Sequence, residues 1–233
     1  MATEQPDDPW IEKWLSTGRF ETYLTAANGS RYLALEIYEW NSKLGAAFLH
    51  DLGHLEVGIR NAYDVALSDA ITAGDSHWTD TRTISQLFPV VLTIDPISKV
   101  EKDSNGLPRS KITQTRVDVS KYGSPTPVPG KIIAEIMFGF WTYLTSNAHE
   151  KTIWVPYLHS TFPSGTDRRK IHSTMADLRI FRNRVAHYEP IMNEAELIRR
   201  KILNIASRIM PFEAYEHLKT NSEVSNLLAQ KPY

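Results

Sequence analysis

The run Arg182-Asn183-Arg184-Val185-Ala186-His187 places two guanidinium groups, a carboxamide and an imidazole within two helical turns. It lies in LRIFRNRVAHYEPIMN, Leu178 to Asn193. An imidazole that changes charge near neutral pH suits proton transfer. A guanidinium beside it suits a phosphate oxygen, which it can hold with two parallel N–H donors. Together they match one reaction that needs no metal, the attack of an RNA 2′-hydroxyl on its neighbouring phosphate. That step requires a proton acceptor or donor and a cation for the developing negative charge, and the 2′-hydroxyl restricts it to RNA. The ordinary alternative also stands at this point: an arginine-rich turn with a histidine can be a salt-bridge cluster at a helix end.

The element that must position these groups is a helix over about 166–188. Ile171, Met175, Leu178, Phe181 and Val185 fall on one stripe, its core face. At about 100° per residue, Asn183 and His187 are about 40° apart and Arg184 about 60° from His187 in the other sense. Arg182 is about 140° from His187, so the two meet only in a cleft that a long side chain can reach, or in one made by a second subunit. Pro190 disfavours helical geometry at Glu189 and cannot donate to the helix ladder, so the helix ends near Tyr188 with His187 in its last turn.

Around this helix the pattern predicts an all-α domain. Asp8 and Pro9 read as the cap and first position of a short helix with Trp10, Ile11 and Trp14 on its apolar side, and AANGS, Ala26 to Ser30, as a turn. Leu33, Ile37, Trp40, Leu44 and Phe48 recur at three- and four-residue steps; the pattern resumes through Leu52, Leu55, Ile59, Tyr63 and Leu67 after an expected bend near His50–Gly53. Residues 78–97 read as an irregular or short-strand insertion, EKDSNGLPRS as a surface loop, and 109–122 as a weak helix. GSPTPVPG is a connector, followed by one helix through Ile132, Ile133, Ile136, Phe140, Trp141 and Leu144. Helices over about 193–210 and from Phe212 onward complete the expected bundle. This divides the chain into an N-terminal arm, 1–29, and one domain, 30–233.

With 233 residues the chain can bury a sizeable core. It has no cysteine, which excludes disulfides, thiolate metal sites and cysteine nucleophiles and fits a reducing compartment. The opening MATEQPDDPW has no apolar core, and no apolar run approaches the roughly 20 residues of a membrane helix, so the expectation is a cytoplasmic chain without a leader or a membrane partner. The formal charge of −1 conceals an asymmetry: residues 1–80 hold five Lys/Arg against thirteen Asp/Glu, residues 97–131 seven against three, and residues 166–210 ten against five. The two basic segments could build one basic face, or be solvated charge that meets across helices.

The motif RNRVAH resembles the R-x4-6-H signature of HEPN domains, and a wider ordered set resembles their Abi-like, abortive-infection branch. That set is YEWNSKLGAAFLHDLGHLEVGIRNAY, GKIIAEIMFGFWTYL, IWVPYLHSTFP and LRIFRNRVAHYEPI, over about residues 30–195. The resemblance implies a HEPN-like helical bundle that forms a homodimer, with metal-independent endoribonuclease activity at a composite cleft, no cofactor, and a role in phage defence or as a toxin. It implies that Arg182 contacts the scissile phosphate, His187 transfers a proton and Asn183 orients them. A latent nuclease would need restraint, by an antitoxin or a regulatory RNA. Some HEPN toxins carry a modifiable tyrosine two residues after the histidine; here Tyr188 follows at once and position 189 is Glu, so that regulation is not carried over. The rival expectation is a HEPN-like dimer that binds RNA or protein without cutting.

Other candidates carry weaker chemistry. Arg184 is a further phosphate-contacting candidate. Glu56 and Arg60, one turn apart with Asn61 beside them, read either as a polar shell behind Arg182 or as an i,i+4 ion pair. His50 and His54 have helical metal-ligand spacing without an obvious ligand set, so no metal site is expected. FGFW, Phe138 to Trp141, reads as core, and Arg168–Lys170 as either phosphate contacts or solvated charge.

Overall fold

The computed structural model describes residues 9–71, 76–94, 97–122 and 127–233. The expected cap at Asp8 lies outside them. The fold is all-α with one minor strand pair. Helices α1 (Trp10–Leu15) and α2 (Thr17–Ala26) form the arm, and α3 (Arg31–Ser68) is the central element. Then come α4 (Thr81–Leu87), strands β1 (Leu92–Ile94) and β2 (Glu101–Asp103), α5 (Gly106–Tyr122), α6 (Pro129–Glu135) and α7 (Phe138–Leu144). Short 3-10 and π turns between Asn147 and Thr161 lead into α8 (Arg168–Ala186), α9 (Ala195–Ile209), α10 (Phe212–Asn221) and α11 (Val224–Ala229).

Helix α3 begins where Ser30 Oγ accepts the Leu33 N–H at 3.3 Å. It then runs unbroken for 38 residues, about 57 Å at 1.5 Å per residue. The expected bend at His50–Gly53 is not a break, because Gly53 faces solvent while Leu52 and Leu55 on either side are buried in the core. Its apolar stripe packs on α8 and α9, with the Phe48 and Phe181 rings edge to face at 4.8 Å. At Gly45 the two helices come close: a Cβ there would lie 3.3 Å from Val185 Cγ1. Trp40 Nε1 donates to the Leu227 carbonyl at 2.7 Å and fixes α11 against the same helix.

Three further expectations change. In α1 it is Ile11 and Leu15 that are buried, while Trp10 and Trp14 stack on each other at the surface. The loop reading of EKDSNGLPRS gives way to β2, which pairs antiparallel with β1 in the register Leu92 to Asp103, and α5 then starts at Gly106. The single helix through Ile132–Leu144 is two, because Ile136 and Met137 are extended; the Ile136 carbonyl instead accepts Trp141 Nε1–H at 3.3 Å. The residues of FGFW other than the glycine are buried.

His149, just after α7, is fully buried. Its Nε2 lies 3.0 Å from Asn105 Oδ1 at the head of α5 and its Nδ1 3.2 Å from Ser146 Oγ. Burial pushes this imidazole down to about 4, with a hydrogen bond to the Tyr143 carbonyl acting the other way. Arg168 also turns inward, donating to the Thr145 carbonyl at 2.7 Å and to Asn147 Oδ1 at 3.3 Å, so it is a strut between α8 and the turn after α7. Among the described residues no helix is long and apolar enough to cross a membrane.

Candidate active site

Asp167 caps α8 by accepting the Arg169 N–H at 2.8 Å, and the core stripe Ile171, Met175, Leu178, Phe181 and Val185 is buried as its spacing predicts. The helix ends in a Schellman turn. The Tyr188 N–H bonds to the Val185 carbonyl and the Glu189 N–H to the Arg184 carbonyl, both at 2.9 Å. Tyr188 takes φ of 55°, the left-handed position that glycine usually fills, and Pro190 prevents the helix from resuming.

Three elements hold this turn. Arg184 Nε donates to Glu189 Oε2 at 3.1 Å, and its other nitrogens reach the Glu194 carboxylate and the Pro190 carbonyl. From α3, the buried Asn41 donates to the Glu189 carbonyl at 3.3 Å and accepts the Ile191 N–H at 2.9 Å. From α2, Arg19 reaches the carbonyls of His187 and Tyr188, each at 3.4 Å. The His187 backbone is therefore over-determined. Its imidazole is exposed and, among the described residues, without a side-chain partner. Arg184 is committed to the turn.

Arg182 and Asn183 face elsewhere. They line a groove of about 680 Å³ between α5, the α6–α7 junction and α8, whose walls include Lys111, Met137, His172 and Arg179. Among the described residues Arg182 has no ion-pair or hydrogen-bond partner. His187 is not in this groove. Beside its turn a smaller groove of about 390 Å³ opens between α3 and the end of α8, lined by Tyr38, Asn41, Gly45, Leu49, Tyr188 and Glu189. The roughly 140° separation of Arg182 and His187 on the helix thus puts them on different sides of α8 within one chain.

No protein-family model, curated protein or solved structure matches this chain.

The second polar group lies apart from these residues. Glu56 and Arg60 pair with each other on α3, with Asn61 exposed beside them, and no α3 residue lines the Arg182 groove. His50 and His54 meet edge to face with ring centroids 4.6 Å apart, and His50 Nδ1 lies 3.0 Å from Asp51 Oδ1. Among the described residues no group of three or more His, Asp or Glu side chains is arranged to hold a metal ion. Sequence reasoning missed Asn41, whose signal was a polar residue on the core face of α3 between Ile37 and Leu44. It also missed His172 and Arg179, which follow the same helical spacing to Arg182 and Asn183 along the groove side of α8.

Proposed function

We propose that this chain is a metal-independent endoribonuclease of the abortive-infection type, acting in the cytoplasm as a homodimer. The observation that carries the reading is the RNRVAH turn itself: an exposed, unpartnered imidazole on a backbone held from three sides, five residues beyond an unpaired arginine. A rigid frame around a free titratable group is what proton transfer needs. Because Arg182 and His187 face different sides of one chain, the reading pairs Arg182 of one copy with His187 of another.

In the reaction, neutral His187 accepts the 2′-hydroxyl proton as the 2′-oxygen attacks phosphorus. Arg182 neutralises charge on the non-bridging oxygens, and the 5′-oxygen leaves with a proton taken from water, to which His187 later returns the one it accepted. The products are a 2′,3′-cyclic phosphate and a 5′-hydroxyl. Asn183, beside Arg182 on the groove side, orients the phosphate. Restraint of the nuclease by an antitoxin or a regulatory RNA belongs to the same reading.

The experiment is incubation of end-labelled RNA with the protein in EDTA. The expected result is cleavage to a 2′,3′-cyclic phosphate, reduced at least about a hundredfold in His187→Ala, the lower end of what acid–base catalysis contributes. RNA binding without any cleavage would favour the second reading, a non-catalytic RNA- or protein-binding dimer. The separation of Arg182 from His187 in one chain lends that alternative its weight.

A further inference from the structure

The groove that holds Arg182 contains more machinery than the signature uses. On α8, His172, Ala176, Arg179 and Asn183 succeed one another at three- and four-residue steps along one side, and Lys111 faces them from α5. Among the described residues Lys111, Arg179 and Arg182 have no ion-pair partner. Of the two carboxylates on the lining, Asp118 already accepts from Gln114 Nε2 at 2.9 Å and lies 3.8 Å from Lys121; Glu135 is exposed. The groove therefore carries three cations, none of them ion-paired, against two carboxylates, an excess of positive charge.

His172 is oriented by its neighbours. Thr145 Oγ1 donates to the Thr142 carbonyl at 2.7 Å, so toward His172 Nδ1, 2.9 Å away, it can only accept. The Thr142 carbonyl, 3.3 Å from the same nitrogen, is also an acceptor. Nδ1 thus carries the proton, and Nε2 of the neutral ring keeps a lone pair that no protein donor among the described residues occupies. Unpaired cations beside a hydrogen-bond acceptor match a ligand bearing both anionic oxygens and a hydroxyl. A ribose phosphate sets the two side by side in every nucleotide; an acidic peptide would have to meet the nitrogen with a backbone N–H or a hydroxyl side chain. From His172 to Arg182 the wall runs about 15 Å, ten residues at 1.5 Å.

We propose that this groove binds a single-stranded RNA segment, with backbone phosphates on Lys111, Arg179 and Arg182 and a ribose 2′-hydroxyl donating to His172 Nε2. The proposal rests on the ribonuclease reading and gives that site its strand path and its means of choosing RNA over DNA. The test is fluorescence anisotropy of a labelled single-stranded RNA dodecamer and its DNA counterpart, from low to moderate salt, in a His187→Ala background. Cleavage by the unmutated protein is assayed separately. Arg179→Gln and Lys111→Gln should each flatten the slope of log affinity against log salt by about 0.7, one phosphate contact to a single strand. His172→Ala should abolish the preference for RNA over DNA, and His172→Gln, which keeps an acceptor, should restore it. Unchanged slopes in both cation variants overturn the proposal, and cleavage by the unmutated protein then leaves the ribonuclease reading standing. Shifted slopes with no cleavage uphold the groove and overturn that reading. Equal displacement of the RNA by polyglutamate of matched charge marks an acidic protein as the partner and overturns the proposal.

Discussion

Acidification should strike the molecule at His149. The imidazole is fully buried and joins Asn105 at the head of α5 to the segment between α7 and α8, so it ties those two parts of the chain together. Burial holds it at about 4 in the folded chain against 6.5 in the unfolded one. Between those values the unfolded chain takes up a proton that the folded chain refuses, so stability falls as pH falls. The contribution is complete above pH 6.5 and lost progressively down to pH 4. At 1.36 kcal/mol per pH unit the whole interval is worth about 3 kcal/mol, and the step from pH 7 to pH 5 about 2 kcal/mol. That is a large part of a typical 5–15 kcal/mol. Urea unfolding at pH 7 and pH 5 reads it directly, with His149→Gln as the control because a glutamine amide can still meet Asn105. The unmutated protein should lose about 2 kcal/mol more than the variant over that step. Parallel losses would refute the reasoning and mean that His149 is hydrated or already charged in the folded state.

Two other residues of the candidate site give stability predictions. Asn41→Ala should leave the buried Ile191 N–H without an acceptor; a loss of about 1–3 kcal/mol is expected, together with faster hydrogen exchange at the Ile191 amide, and unchanged exchange there would contradict the capping role. Tyr188→Gly should relieve a left-handed conformation worth about 1–2 kcal/mol, partly offset by about 0.4–1 kcal/mol of added unfolded-chain freedom. A rise in Tm of about 1–4 °C is the expected result, and a fall would show that the exposed tyrosine ring packs more than its surface position implies.

What the sequence made legible was local. The core stripe of α8, its end before Pro190 and the angular separation of Arg182 from His187 all follow from spacing along a single helix. The all-α class followed from the same periodicities. What escaped depends on contacts far apart in the chain. Asn41 meets Ile191 across 150 positions, and His172 is oriented by a threonine 27 positions earlier, so no window of sequence pairs either of them. The break at Ile136–Met137 escaped because both halves carry helical apolar spacing, and only the packing of Trp141 shows where the backbone departs from it. The β1–β2 pair escaped because its side chains are largely exposed, leaving no alternation of buried and exposed residues to read. Arg184 could be seen but not assigned: its partners Glu189 and Glu194 are near in sequence, yet they converge on it only once the chain turns at Tyr188.

The central claim is that Arg182 of one copy and His187 of another act on the same phosphodiester. Mixing Arg182→Ala and His187→Ala chains, each inactive alone, under conditions that exchange subunits tests it most directly. Half of the dimers formed are then mixed, and each mixed dimer has one intact site of two. RNA cleavage should therefore return to roughly a quarter of the unmutated level. Full cleavage by either variant alone, or a mixture as inactive as its components despite subunit exchange, would contradict the account.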